Sequence, residues 1–176
     1  MPTHEIPNSQ STRNPSVRLR PAVASDVPLI LAYIRELAIY EREPAAAIAT
    51  EDDLLRDGFG AAPRFFVVLA EIEAQPVGFA LYFFTYSTWQ GKPALHLEDL
   101  FVRPEFRGQG AGAALLRHLA QEAAASGCTR FDWQVLDWNQ PAIDFYERLG
   151  ARILPGWQAV RLEGENLKRL AEASVL

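Results

Sequence analysis

One cysteine, Cys128, is the whole thiol content of this chain, so no internal disulfide can form. That scarcity suits a reducing compartment, and a cytoplasmic location is expected. No apolar run approaches the roughly 18 residues of a membrane span, so no membrane partner is expected. The segment Met1–Ser16 is polar, carries Pro2, Pro7 and Pro15, and lacks the apolar stretch of a secretory leader. Residues 1–16 therefore read as a flexible tail. His96 and His118 have no companions at metal-ligand spacing, so both read as structural and no metal is expected. Nothing around Cys128 marks it as a nucleophile. Positive charge is also short: the formal net charge of −5 argues against a nucleic-acid partner and mildly favours cationic ligands. Internal repeats and low-complexity segments are absent.

What is present is the composition of a soluble globular protein, with 49% apolar and 22% charged residues. A length of 176 residues fits one domain, here 17–176, with a core that needs no staples. Val17–Arg20 alternates like a first strand, and Leu29, Ile30, Tyr33, Ile34, Leu37 and Tyr40 recur at helical spacing, with Ser25 or Asp26 as the cap. Thr50 and Asp53 form a capping-box pattern that opens a short helix ending near Gly58. Arg64–Glu71 and Val77–Tyr86 read as antiparallel strands joined at Gln75-Pro76. Leu95–Val102 is the next strand, and a helix over 111–126 buries Leu115, Leu116, Leu119 and Ala123 before stopping at Gly127. Phe131–Leu136 reads as a strand, and Asn139 caps a short helix that Gly150 ends. Ile153–Leu162 reads as a returning strand or pair of strands. Strands followed by a βαβα pattern describe an α/β or α+β sheet covered by helices.

Between the strand ending at Val102 and the helix from Ala111 lies Arg103-Pro104-Glu105-Phe106-Arg107-Gly108-Gln109-Gly110. Alternating Gly108, Gly110 and Gly112 let backbone N–H groups approach a ligand, and a helix start adds partial positive charge. With Arg107 at its mouth, this stretch is a candidate phosphate cradle. Gly108, Gly110 and Ala113 satisfy the dinucleotide fingerprint formally, but five residues separate strand and glycines, and Asp132 falls near the start of its strand. A phosphate loop of the Walker type fails because no Gly-Lys-Ser/Thr follows.

Arg107-x-x-Gly110-x-Gly112 after an apolar strand resembles the pyrophosphate loop of the GNAT family of acetyl-CoA-dependent N-acetyltransferases. The stretch Val135–Ala151, with Asn139 after a strand and Phe145-Tyr146 before Gly150, is similar to that family's closing motif. Tyr40-Glu41, Asp57-Gly58-Phe59-Gly60, Tyr82–Trp89 and Leu97-Glu98-Asp99 resemble the spermidine/spermine N-acetyltransferase subfamily. Ser87-Thr88-Trp89 and Leu136–Gln140 are similar to its thialysine branch. The resemblance spans roughly residues 17–163.

It implies the GNAT fold, a mixed and mostly antiparallel sheet with helices on both faces. It also implies a homodimer, acetyl-CoA as co-substrate, and acetylation of a small-molecule primary amine by direct attack in a ternary complex. Cofactor contacts then fall on Leu100, Phe101, Val102, Arg107, Gly108, Gln109, Gly110, Ala111, Gly112, Ala113, Asn139 and Tyr146. Amine contacts fall on Tyr40, Glu41, Ser87, Thr88, Trp89, Glu98 and Asp99. An alkylamine with a pKa near 10.4 arrives protonated, so it must lose a proton and the departing thiolate must gain one. Glu98 is the implied base, acting through water, and Tyr146 the implied acid.

Each residue also has a plainer reading. Tyr146, at i+3 from Ile143, fits core packing; Glu98 fits an exposed strand carboxylate; Asn139 fits a helix cap; Trp89 fits a loop aromatic. An acyl-CoA sensor without turnover and a protein or peptide N-acetyltransferase remain the rival functions. Where spermidine enzymes typically carry Asp before the Trp loop, this chain has Ser87, and where they carry Glu before Gly-Trp it has Pro155. Two missing carboxylates disfavour a long polycation and favour thialysine, a lysine analogue or a small diamine.

Overall fold

The computed structural model describes residues 16–156 and 158–173; residues 1–15 of the tail expected over 1–16, Trp157 and residues 174–176 lie outside them. The chain divides into two compact units, one ending at Leu136 and one from Asp137 to Leu176, and each is described by itself.

The first unit holds a five-stranded sheet in the order β1-β2-β3-β4-β5. Its strands are β1 (Val17–Pro21), β2 (Phe66–Ile72), β3 (Gln75–Ser87), β4 (Lys92–Val102) and β5 (Phe131–Trp133). All neighbours are antiparallel except β4 and β5, so the sheet is mixed and mostly antiparallel, as expected. Helices α1 (Val27–Tyr40) and α2 (Glu51–Phe59) precede β2, and α3 (Ala111–Ala125) links β4 to β5.

Strand alternation divides the apolar side chains between two faces. Val67, Leu69, Phe79, Leu81 and Phe101 pack with Val27, Ile30, Leu31 and Tyr33 of α1 and Leu54 of α2. The alternate residues Val68, Ala70, Ala80 and Tyr82 are buried on the opposite side, and α3 buries Leu115, Leu116, Leu119 and Ala123 as its spacing predicts. The Thr50 capping box forms: the Asp53 N–H donates to Thr50 Oγ1 at 3.2 Å, and the Thr50 N–H donates to Asp53 Oδ2 at 3.0 Å. Gly127, at φ 69°, closes α3; its N–H donates to the Ala124 carbonyl and that of Cys128 to the Ala123 carbonyl.

Three local expectations in this unit need correction. The β2–β3 turn is Glu73-Ala74, at φ 51° and 63°, with Gln75-Pro76 already inside β3. Proline has no N–H for the ladder, and it sits where the register shifts by one residue, at Val77. Asp26 stands at the N-cap position of α1, but its side chain makes no capping bond to the helix. The Asp26 carboxylate instead takes two hydrogen bonds from Arg20, at 2.7 and 2.9 Å, and the Val23 N–H at 2.8 Å. Strand β5 ends at Trp133 instead of Leu136. It pairs only with Leu95–Leu97, and the next residue of β4 interrupts the ladder.

In the second unit, α4 (Gln140–Arg148) starts after Asn139, but the Asn139 side chain makes no capping bond. Its backbone, at φ −85° and ψ 61°, lies away from the extended geometry of a capping residue. Among the described residues of 153–162 there is no strand: Pro155 and Gly156, the latter at φ 90°, form a turn. Helix α5 (Gly164–Glu172), which sequence reading missed, follows.

Candidate active site

The site is built where β4 hands over to α3. Strand β3 approaches the end of β4 closely because residue 78 is glycine: a Cβ there would meet the Phe101 carbonyl oxygen at 2.4 Å. After Val102 come a 3₁₀ turn, Pro104–Phe106, and then Gly108 and Gly110 at φ 76° and 91°. These left-handed conformations are costly for any residue with a side chain. The space where their Cβ atoms would stand is open, leaving the backbone accessible to a ligand. The first helical bond of α3 runs from the Ala114 N–H to the Gly110 carbonyl at 2.9 Å. The N–H groups of Ala111, Gly112 and Ala113 therefore have no partner within the helix. Gln109 braces the loop by donating to the Glu105 carbonyl at 3.3 Å.

Arg107 is held in place before any ligand arrives. Its Nε donates to the Val102 carbonyl at 3.0 Å, and its guanidinium carbon lies 4.7 Å from the Tyr40 ring centroid and 5.9 Å from that of Phe101. Helix dipole, bare N–H groups and a fixed guanidinium suit a pyrophosphate, so the residues present fit the phosphate moiety of coenzyme A.

The acidic side of the site depends on an irregularity in β4. Leu81 faces Asp99 and Tyr82 faces Leu97, leaving Glu98 without a partner, a β-bulge. Strict alternation would put Leu97, Asp99 and Phe101 on one face. The extra residue breaks that parity and places Asp99 and Phe101 on the α1 side, opposite Leu81 and Phe79. There Glu41, which follows the last residue of α1, acts on Asp99 through its charge. Burial, with Glu98 and Glu41 adding repulsion, pushes the Asp99 carboxyl up to about 7. Burial also raises Glu41 above the usual carboxylate range. Glu98 is exposed, its side chain 56% accessible, with Oε2 3.6 Å from His96 Nε2.

Tyr40, Glu41, Glu98, Asp99 and the loop 107–113 are thus gathered around the end of α1 and the β4–α3 junction. Phe101 is buried, and its carbonyl faces Gly78 of β3. Beyond Leu97, no described strand pairs with the edge of β4 that faces away from β3, and the Val102 carbonyl accepts from Arg107 Nε. Ser87, Thr88 and Trp89 are elsewhere. Ser87 is buried at the end of β3, and Trp89 stands 89% exposed in the β3–β4 turn. Lys92, the partner of Ser87, lies seven positions before Asp99 in β4, about 20 Å along the strand. Within one chain the structure does not bring these three to Glu98 and Asp99. Asn139, which is buried, and Tyr146, whose ring centroid is 5.4 Å from that of Phe145, belong to the second unit.

Sequence reading missed the bulge and the elevated carboxyl of Asp99. The adjacent carboxylates of Glu98-Asp99 within β4 were the signal for them.

The sequence pattern of the Acetyltransferase (GNAT) family matches residues 31–151, well over half of the chain. The chain belongs to the GNAT acetyltransferase family. Members of this family use acetyl-CoA as acetyl donor. This GNAT chain is 44% identical over 167 residues to a thialysine N-epsilon-acetyltransferase of Sus scrofa, covering 89% of this chain and 98% of that protein. It is 41% identical over 164 residues to the spermidine/spermine N(1)-acetyltransferase-like protein 1 of Homo sapiens, covering 88% of this chain and 24% of that one. Among solved structures, an integron cassette protein from the mobile metagenome of V. cholerae superimposes with a TM-score of 0.76 at 28% identity, over 90% of this chain and 99% of that one.

Proposed function

We propose that this chain transfers the acetyl group of acetyl-CoA to the primary amine of a short cationic molecule such as thialysine, a lysine analogue or a small diamine. The observation that carries the reading is the gathering of Glu41, Glu98 and Asp99 beside the pyrophosphate cradle. Carboxyls brought together in this way attract an ammonium ion, and a bound ammonium favours the ionised form of Asp99. The likeness to thialysine N-epsilon-acetyltransferases supports the short amine over spermidine.

Acetyl-CoA supplies the thioester, held by Arg107, the N–H groups of the loop 108–113 and the Leu100–Val102 main chain. Asn139 adds a cofactor contact in this reading. Glu98, at the exposed apex of the bulge, receives the ammonium proton through water and passes it to solvent. Glu41 and Asp99 hold the amine. Tyr146 donates a proton to the departing sulfur and regains one from solvent. One catalytic domain over 17–176 belongs to this proposal, supported by a family match that runs across the boundary at Leu136. A homodimer rests on the subfamily resemblance, and a cytoplasmic setting on the single cysteine, Cys128.

The test is thiol release from acetyl-CoA with thialysine, lysine, putrescine and spermidine, and with Tyr146→Phe as control. Thialysine or putrescine should be turned over best. Spermidine as the clearly preferred substrate would refute the short-amine assignment, and no release with any amine would refute acetyl transfer. An unchanged rate in Tyr146→Phe would remove the proposed acid.

A further inference from the structure

Tyr40 resembles a residue of the amine site, yet its surroundings are those of the cofactor grip. It is the last residue of α1, and the helix ends there in a locked turn. The Glu41 N–H donates to the Leu37 carbonyl, that of Arg42 to the Ile39 carbonyl and that of Glu43 to the Ala38 carbonyl, at 2.8–3.1 Å. Arg42 takes the left-handed conformation at φ 68° that this ending requires. The Tyr40 backbone is therefore fixed, and its ring lies beneath the Arg107 guanidinium.

Arg107 is otherwise an exposed side chain on a glycine-flanked loop. Three contacts limit its freedom: Nε to the Val102 carbonyl, the Tyr40 ring at 4.7 Å, and the more distant Phe101 ring at 5.9 Å. The negative end of the α1 dipole lies on the same side as the cation. Nε is committed to Val102, while among the described residues the two terminal amino groups donate to no protein acceptor. A planar guanidinium anchored through Nε and one face presents its outer edge as a fork, the geometry that matches phosphate oxygens.

We propose that Tyr40 is a positioning residue for the pyrophosphate grip, the platform that holds Arg107 ready for coenzyme A, and not a wall of the amine pocket. The role rests on the coenzyme A reading of the loop. It assigns the final turn of α1 to both substrates: Tyr40 serves the cofactor through Arg107, and its neighbour Glu41 serves the amine beside Asp99. Tyr40→Phe keeps the aromatic face, whereas Tyr40→Leu keeps apolar bulk and loses the π-face.

The test is calorimetric binding of coenzyme A in the absence of amine, followed by separate KM values for acetyl-CoA and amine. Tyr40→Leu should weaken coenzyme A about two- to tenfold, as loss of a cation–π contact does. Tyr40→Phe should stay near wild type, and the amine KM should hold in both. In an Arg107→Ala background, Tyr40→Leu should have no further effect, which separates positioning of Arg107 from general damage to the fold. Wild-type coenzyme A affinity in Tyr40→Leu with a raised amine KM would overturn the proposal. So would a Tyr40→Phe defect as large as that of Tyr40→Leu, or the same loss with and without Arg107. Because affinity is read without amine, the result stands apart from turnover: absent turnover refutes the proposed function, and unchanged affinity refutes the role of Tyr40.

Discussion

Replacing Asp99 by asparagine should make the protein more stable and less active, by an amount that depends on pH in a defined direction. The Asp99 carboxyl is raised from 3.8 to about 7 by burial and by the neighbouring Glu98 and Glu41. The folded chain therefore holds this proton more tightly than the unfolded chain does. Stability from this group is fully present below pH 3.8, falls as pH rises through the interval to 7, and levels off above it. At about 1.4 kcal/mol per pH unit, keeping Asp99 ionised at pH 8 costs the fold about 4 kcal/mol. From pH 5 to pH 8 the loss is about 3 kcal/mol. Asparagine preserves size and polarity but cannot ionise. Urea denaturation of wild type and Asp99→Asn between pH 5 and pH 8.5 isolates the effect, since other titrations cancel in the difference. The variant's advantage should grow with pH to about 4 kcal/mol at pH 8, while its amine KM rises. A difference independent of pH, or a variant less stable at pH 8, would refute the placement of a buried, repelled carboxyl at the bulge.

Two further outcomes follow from single groups. Gly110→Ala forces a side chain onto φ 91° and should cost about 1–2 kcal/mol of stability by denaturant titration, with a larger relative loss in coenzyme A affinity. An unaffected affinity would take the loop away from the cofactor. The buried hydroxyl of Tyr33 has no hydrogen-bond partner among the described residues, and burial pushes its pKa up to about 12. Tyr33→Phe keeps the ring contacts with Phe79 and Phe101 and should stabilise the chain by about 1–3 kcal/mol in thermal or urea unfolding. A destabilised variant would mean that a water satisfies the hydroxyl.

Much of this architecture is legible residue by residue. The spacing of Leu115, Leu116, Leu119 and Ala123 matches the buried face of α3, and Thr50-x-x-Asp53 forms the cap it spells, because both are local patterns with one favoured geometry. Legibility fails where a non-local partner decides. Asp26 looks like a cap, but Arg20 claims its carboxylate from β1. The segment over 131–136 has strand composition throughout, yet only three residues find a partner, because β4 is interrupted beside them. Ile153–Leu162 offers apolar residues to a strand that does not form around Pro155-Gly156.

For the site, the sequence alone determined the family-like order of motifs, the cradle from Arg107 to Ala113 and the candidacy of Glu98 and Asp99. Glycine at a left-handed turn and a helix start after a strand are local facts that a string of residues can carry. Tertiary structure decided which candidates meet. A one-residue bulge turns Asp99 toward Glu41, and the end of α1 brings Tyr40 beneath Arg107, while Ser87–Trp89 stay at the far end of the hairpin. These are questions of register and packing between segments far apart in the chain, and the spacing of residues along one segment has no means of expressing them.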